Sequence, residues 1–139
     1  MTHKPVTIHP QSTLRMALEK MEEINCHHLP VISSAGHLVG ILSDRDCRTA
    51  LNSPYILRER WHDEHLADNL LVRSIMTAAP IVTEPGAFVG EAARLMLTNH
   101  VNCLPVMRSE TLVGIITSSD ILAAFILVGS NDLHNTINT

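Results

Sequence analysis

The chain has 139 residues, which allows one compact domain or two very small ones sharing a core and excludes a large multi-domain enzyme. Hydrophobic residues make up 45% and charged residues 17%, so a core can form and wholesale disorder is excluded. The net charge of −4 and an aromatic content of 3% leave neither a basic stripe for a phosphate backbone nor a stacking platform for single strands, so no nucleic-acid partner is expected.

In chain order, a short strand is expected over Val6–Ile8, ending at a proline. A helix follows with apolar positions Leu14, Ala17, Leu18, Met21 and Ile24, spaced so that one face meets a core, and Ser12 or Thr13 can cap it. Two apolar strands, Leu29–Ile32 and Leu38–Leu42, flank a turn at residues 33–36. A second helix covers Asp44–Leu51. Residues 52–71 differ in composition: they carry Arg58, Glu59, Arg60, Asp63, Glu64, Asp68 and the single Trp61, and predict a solvated helical insert. The grammar then repeats: a strand at Ile81–Thr83, a helix with Val89, Ala92, Ala93 and Met96 on one face, strands Leu104–Met107 and Leu112–Ile116, and a closing helix Ser118–Val128. The polar tail from Ser130 is expected to fray.

The repetition is in the residues as well. An offset of 75 places Met1-Thr2 on Met76-Thr77, Pro5 on Pro80, Pro10 on Pro85 and Leu29-Pro30-Val31 on Leu104-Pro105-Val106. One residue drops out near Gly36, and an offset of 74 places Leu38-Val39-Gly40-Ile41 on Leu112-Val113-Gly114-Ile115 and Asp46 on Asp120. The organisation read from this is repeat 1 over 1–51, insert 52–71, repeat 2 over 72–129 and tail 130–139. The fold class is α+β: two β-α-β-β-α repeats, each too small to bury its sheet alone and therefore paired. Ile121 to Val128 is apolar nearly all round, which calls for burial on more than one side, either within the chain or against a second copy in a homodimer.

No signal peptide or bilayer-length apolar run is present; the stretch Ile121 to Gly129 is about half of what a span needs. Cys26, Cys47 and Cys103 are odd in number and make no disulfide framework. A cytoplasmic setting without membrane contact is therefore expected.

The chemistry concentrates where the third strand of each repeat enters its closing helix. Gly40-Ile41-Leu42-Ser43-Asp44-Arg45-Asp46 and Gly114-Ile115-Ile116-Thr117-Ser118-Ser119-Asp120 share the form Gly-apolar-apolar-Ser/Thr-x-x-Asp. Free backbone N–H groups at a helix start suit an anion such as phosphate, and a carboxylate one turn on can accept both hydroxyls of a ribose. The same pattern is also a helix cap and nothing more.

Together these segments resemble a tandem pair of CBS domains (named after cystathionine β-synthase), a Bateman module, in the layout of the stand-alone bacterial pairs of the acetoin-utilisation type. The residues that carry the resemblance are Ile75-Met76-Thr77, Pro80-Ile81-Val82-Thr83, Leu104-Pro105-Val106, Leu112 to Thr117 and Ser118 to Leu122, with their counterparts in repeat 1. The resemblance implies a pseudo-twofold pair with two clefts for adenosine-containing ligands: AMP, ADP or ATP as regulatory ligand, with no catalytic residue, no metal site and no cofactor. It assigns Asp46 and Asp120 to ribose hydroxyls, Ser43 and Thr117 with Arg45 or Ser119 to phosphate, and Ile41 and Ile115 to the base. Lys4 and Val6 would serve the cleft of Asp120, and Ala79 and Ile81 that of Asp46; Cys26-His27 and Val101-Asn102 match a further contact region. Arg45 makes the Asp46 cleft the stronger one expected for polyphosphates. Repeat 1 opens level with Met76, without a counterpart of Leu70–Ile75, so either native residues precede Met1 or this half is trimmed.

The output expected is a ligand-driven conformational change read by a separate effector protein. Two other functions compete with it. One is a purely structural dimerisation module. The other is a metal-dependent enzyme using Cys26, His27, His28 and Cys103, or His62, Asp63, Glu64 and His65; no familiar zinc spacing or nucleophile motif supports it.

Overall fold

A computed structural model of the chain describes residues 1–52 and 67–137, with side chains to 128. The insert residues 53–66, with Trp61 and the His62–His65 candidate ligands, lie outside the described part. The chain forms two units: residues 5–80, and residues 1–4 together with 81–139.

In the unit of residues 5–80, helix α1 (Leu14–Ile24) is capped by Thr13, whose side chain accepts from the Met16 N–H, and ends at Asn25 in the left-handed region. Strands β2 (His28–Ile32) and β3 (Leu38–Ser43) pair antiparallel, helix α2 (Asp44–Leu51) follows directly, and the short α3 (Val72–Ile75) leads into strand β4 (Thr77–Ala78). The sheet order is β2-β3-β4. Leu14, Ala17 and Met21 of α1 meet Leu29, Val31 and Leu42 of the sheet, with Ile8, Cys47 and Val72 completing the core.

The other unit repeats the plan. Its sheet order is β1-β6-β5, with β1 at Thr2–His3, β5 at Cys103–Arg108 and β6 at Thr111–Thr117. Helix α4 (Val89–Asn99) places Ala92 and Met96 against Leu104. The closing helix α5 runs from Ser118 to Ile137. The expected class, α+β, is what forms, and each unit holds an antiparallel three-stranded sheet.

Two expectations change. The strands predicted at Val6–Ile8 and Ile81–Thr83 reduce to single parallel bridges, Ile8 to Val31 and Thr83 to Val106. Prolines at 5, 10, 80 and 85 interrupt both segments and remove N–H donors there. The true outer strands lie earlier, at Thr2–His3 and Thr77–Ala78, and each pairs in the unit that the other repeat dominates. The second change is at the end of α5, which continues through Ile137 instead of ending at Val128 with a frayed tail. One interior glycine, Gly129, costs a helix only about 1 kcal/mol and does not end it.

Pro30 and Pro105 sit on the edge strands β2 and β5, where a missing N–H breaks no ladder. Their carbonyls accept from the Ile8 and Thr83 N–H groups at 2.9 and 3.0 Å, which ties the bridging segments down.

Candidate functional site

Each unit builds the same junction. In the first, Ser43 is the N-cap of α2 and forms a reciprocal capping box with Asp46. The Asp46 N–H donates to Ser43 Oγ at 3.0 Å, and the Ser43 N–H donates to Asp46 Oδ2 at 2.9 Å. Among the described residues, Asp46 Oδ1 accepts no hydrogen bond. In the second unit, the Thr117 N–H donates to Asp120 Oδ2 at 2.9 Å and the Asp120 N–H to Thr117 Oγ1 at 3.4 Å; Asp120 Oδ1 faces the Met1 amino group at 3.8 Å. One oxygen of each carboxylate thus holds its helix start; the other accepts no hydrogen bond in Asp46 among the described residues and faces the Met1 amino group in Asp120.

The loop before β2 or β5 closes onto each helix start. The Asp44 N–H donates to the His27 carbonyl, and the Ser118 N–H to that of Asn102, both at 2.9 Å. These pairings put His27 and Asn102 at the first residues of α2 and α5, with Cys26 and Val101 half-buried just before them.

An edge strand crosses each junction. Thr77 pairs with Ile41 and Ala78 with Gly40; equivalently, Thr2 pairs with Ile115 and His3 with Gly114. The residues that follow these strands, Ala79 and Lys4, have φ of 47° and 49°, and their N–H groups donate to the carbonyls of Val39 and Val113, each at 3.3 Å. A non-glycine residue held there is strained, and such strain gathers at binding sites. The structure thus brings Ala79 into the unit of Asp46 and Lys4 into that of Asp120. Val6 belongs to the Asp46 unit and Ile81 to the Asp120 unit; both are exposed. Ile41 is half-buried, whereas Ile115 is 7% exposed.

The two junctions differ in charge. Arg45 and Ser119 are exposed equivalents. Arg45 makes no hydrogen bond or ion pair among the described residues, although a cation in the first turn of a helix opposes the dipole. Sequence reasoning missed a cluster beside it. Asp44 Oδ2 accepts from Arg48 Nη2 at 2.9 Å and lies 3.2 Å from His27 Nδ1. Burial pushes the Asp44 carboxyl up, but the His27 hydrogen bond and the Arg48 charge outweigh it and hold it low. The acid four residues before Arg48 was the available signal; the approach of His27 depends on the loop.

Burial lowers the His28 pKa, with His27 adding to the effect and Asp44 and Asp46 opposing it. An unfolded imidazole titrates near about 6.5, so below that pH the unfolded chain binds more protons and the fold loses stability. The low Asp44 pKa acts only in more acidic solution, as pH falls through and below about 4. The thermal midpoint is therefore expected to fall between pH 7.5 and 5.5, and His28→Asn to flatten that fall; an unchanged slope would refute the assignment. Burial also pushes the Cys47 and Cys103 thiols up to about 12, so neither is a nucleophile at neutral pH. Among the described residues, no three His, Cys, Asp or Glu side chains converge as a metal site, and no helix is long and apolar enough to cross a membrane.

Comparison with known proteins meets this geometry. A family model described as "CBS domain" matches residues 1–53 and 72–127. A CBS domain-containing protein of Dictyostelium discoideum is 38% identical over 88% of this chain and 85% of its own length. The structure of a protein described as the acetoin utilization protein AcuB of Vibrio cholerae superposes with a TM-score of 0.71 and 30% identity, covering 100% of this chain and 93% of that one. CBSX2 of Arabidopsis thaliana in complex with AMP gives 0.73 and 28%, over 92% and 93%. The CBS domain pair of protein MJ0100 with 5′-methylthioadenosine and S-adenosyl-L-methionine gives 0.76 and 26%, over 90% of each chain. With two family matches that together span most of its length, the chain belongs to the CBS domain family as a tandem pair.

Proposed function

We propose that this chain is a non-catalytic regulatory module that binds an adenosine-containing ligand of the AMP, ADP or ATP class at its two strand–helix junctions. It works as a cytoplasmic homodimer and signals to a separate effector protein by changing conformation. The observation that carries the reading is the duplicated carboxylate: Asp46 caps its helix through one oxygen and, among the described residues, its other oxygen accepts no hydrogen bond, in a unit whose edge strand runs into a residue held at positive φ. AMP, 5′-methylthioadenosine and S-adenosylmethionine, the ligands of the related structures, share adenosine and differ beyond its 5′ carbon. The shared part carries the diol that Asp46 and Asp120 would accept. Ser43, Arg45 and His27 on one side, and Thr117, Ser119, Asn102 and Lys4 on the other, would meet the part that varies. Ile41 or Ile115, with Val6, Ile81, Ala79, Cys26 and Val101, would meet the base.

A ligand shifts a conformational equilibrium only by its differential affinity for the two states, so the output depends on contacts that one state alone makes. Thermal unfolding with AMP, ADP, ATP, NAD and S-adenosylmethionine tests the reading. A ligand at about 100 times its dissociation constant adds roughly 2.7 kcal/mol of stability. A raised midpoint with at least one of them is expected. No shift with any would favour a purely structural dimerisation module.

A further inference from the structure

The first residue of α2 is tied to two basic side chains at once. Asp44 Oδ2 accepts from Arg48 Nη2 at 2.9 Å and lies 3.2 Å from His27 Nδ1. An ionised carboxylate only accepts, so His27 Nδ1 carries the hydrogen and Nε2 is left as the basic nitrogen. Nε2 makes no hydrogen bond among the described residues, and the His27 side chain is 70% exposed. The main chain holds the residue as well, because the Asp44 N–H donates to its carbonyl. His27 is thus fixed at the start of α2 through backbone and ring, with one ring nitrogen open. The charged and titratable groups around it are Asp44, Arg48 and Asp46 of α2 and the neighbouring His28 of β2, which feels His27 and both carboxylates. Among the described residues, no ion pair reaches it from α1. The second junction holds Asn102, Ser118 and Leu122 at the equivalent places, and none of these takes up a proton.

We propose that His27 reads the charge of the ligand's 5′ substituent: its Nε2 takes a proton from solvent and donates a hydrogen bond to a phosphate oxygen at the start of α2, with Asp44 as the positioning residue. An anion on each side of an imidazole favours its charged form. Nucleoside phosphates therefore gain affinity at this junction as the pH falls, and adenosine, with an uncharged 5′ hydroxyl, does not. The Asn102 junction lacks this linkage. This role rests on the nucleotide binding proposed for the junction and adds to it a ligand class and a dependence on acidity.

Calorimetric titration of the full chain with ATP and with adenosine at pH 6 and pH 8 tests it, in wild type and His27→Asn. The phosphates of ATP titrate in the same range, so the two proteins are compared at one pH, where the ligand's own titration cancels. The wild type is expected to bind ATP about tenfold more tightly than His27→Asn at pH 6, the size of one hydrogen bond to a charged group, and within about twofold at pH 8. Adenosine should show no such change. Asparagine keeps the backbone carbonyl and replaces an exposed ring, so the variant should fold, and circular dichroism checks this. Asp44→Asn should shrink the dependence on pH, and His28→Asn should leave it in place. A gap between wild type and His27→Asn that is the same at both pH values, an equal effect on adenosine, or a dependence that disappears with His28→Asn instead would overturn the proposal. Absence of ATP binding at either pH would instead remove the nucleotide reading itself, and this role with it.

Discussion

Asp46→Asn is expected to lower the affinity for ATP by at least tenfold, and Asp120→Asn by less. A hydrogen bond to a charged acceptor contributes about 1.5–3 kcal/mol, and tenfold in affinity is about 1.4 kcal/mol. The Asp46 junction also holds Arg45, a guanidinium free of partners among the described residues at a helix start. Its equivalent is Ser119. Polyphosphate should therefore settle on the Asp46 side, and Arg45→Ala should weaken ATP more than AMP. Asparagine is chosen because its side-chain oxygen can still accept from the Ser43 N–H and keep the cap. The variant should thus unfold within about 1 kcal/mol of the wild type, the size of a lost charge near a helix N-terminus. Calorimetric titration checks affinity, and chemical denaturation checks stability. Equal losses of ATP affinity at Asp46 and Asp120 would contradict the assignment.

Gly40→Ala and Gly114→Ala are expected to destabilise the fold and to weaken binding together. A Cβ at Gly40 would run into Met76 Sδ and lie 2.9 Å from the Thr77 carbonyl oxygen; at Gly114 it would lie 2.8 Å from the Thr2 oxygen and 3.0 Å from Met1 Sδ. The nearest obstacles include backbone, which cannot rotate away. The edge strands must move, at a cost of about 1–3 kcal/mol each, the usual range for overpacking. Those strands run directly into Ala79 and Lys4, so the displacement reaches residues of the proposed site. Thermal unfolding and nucleotide titration of each variant read the two effects. A variant that unfolds like the wild type would show that the edge strands are not held where the glycines place them.

Much of this architecture was legible in the residues. The offset repeat gave the element order. The Gly-apolar-apolar-Ser/Thr-x-x-Asp junction located both capping carboxylates, because a cap is a local arrangement written within four residues. Helix α2 begins and ends where the pattern puts it. The outer strands were not legible. Thr2–His3 and Thr77–Ala78 are two residues each and pair with distant strands, so no local alternation marks them. The left-handed turns at Lys4 and Ala79 were hidden for the same reason: neither residue type favours positive φ, and only the sheet imposes it. The approach of His27 to Asp44 likewise depends on how the loop after α1 returns to the helix start. The length of α5 was misjudged because the polar composition after Ser130 was read as a frayed tail, whereas polar residues continue a helix as readily as apolar ones on its solvent side.

The most direct measurement compares AMP with its 2′,3′-dideoxy counterpart by calorimetry, in the wild type and in the Asp46→Asn/Asp120→Asn double variant. If the two carboxylates hold the sugar, the wild type binds AMP at least tenfold more tightly than the dideoxy nucleotide, as expected when an acceptor placed for a hydroxyl loses its donor, and the double variant no longer distinguishes them. A wild type that binds both equally would contradict the account.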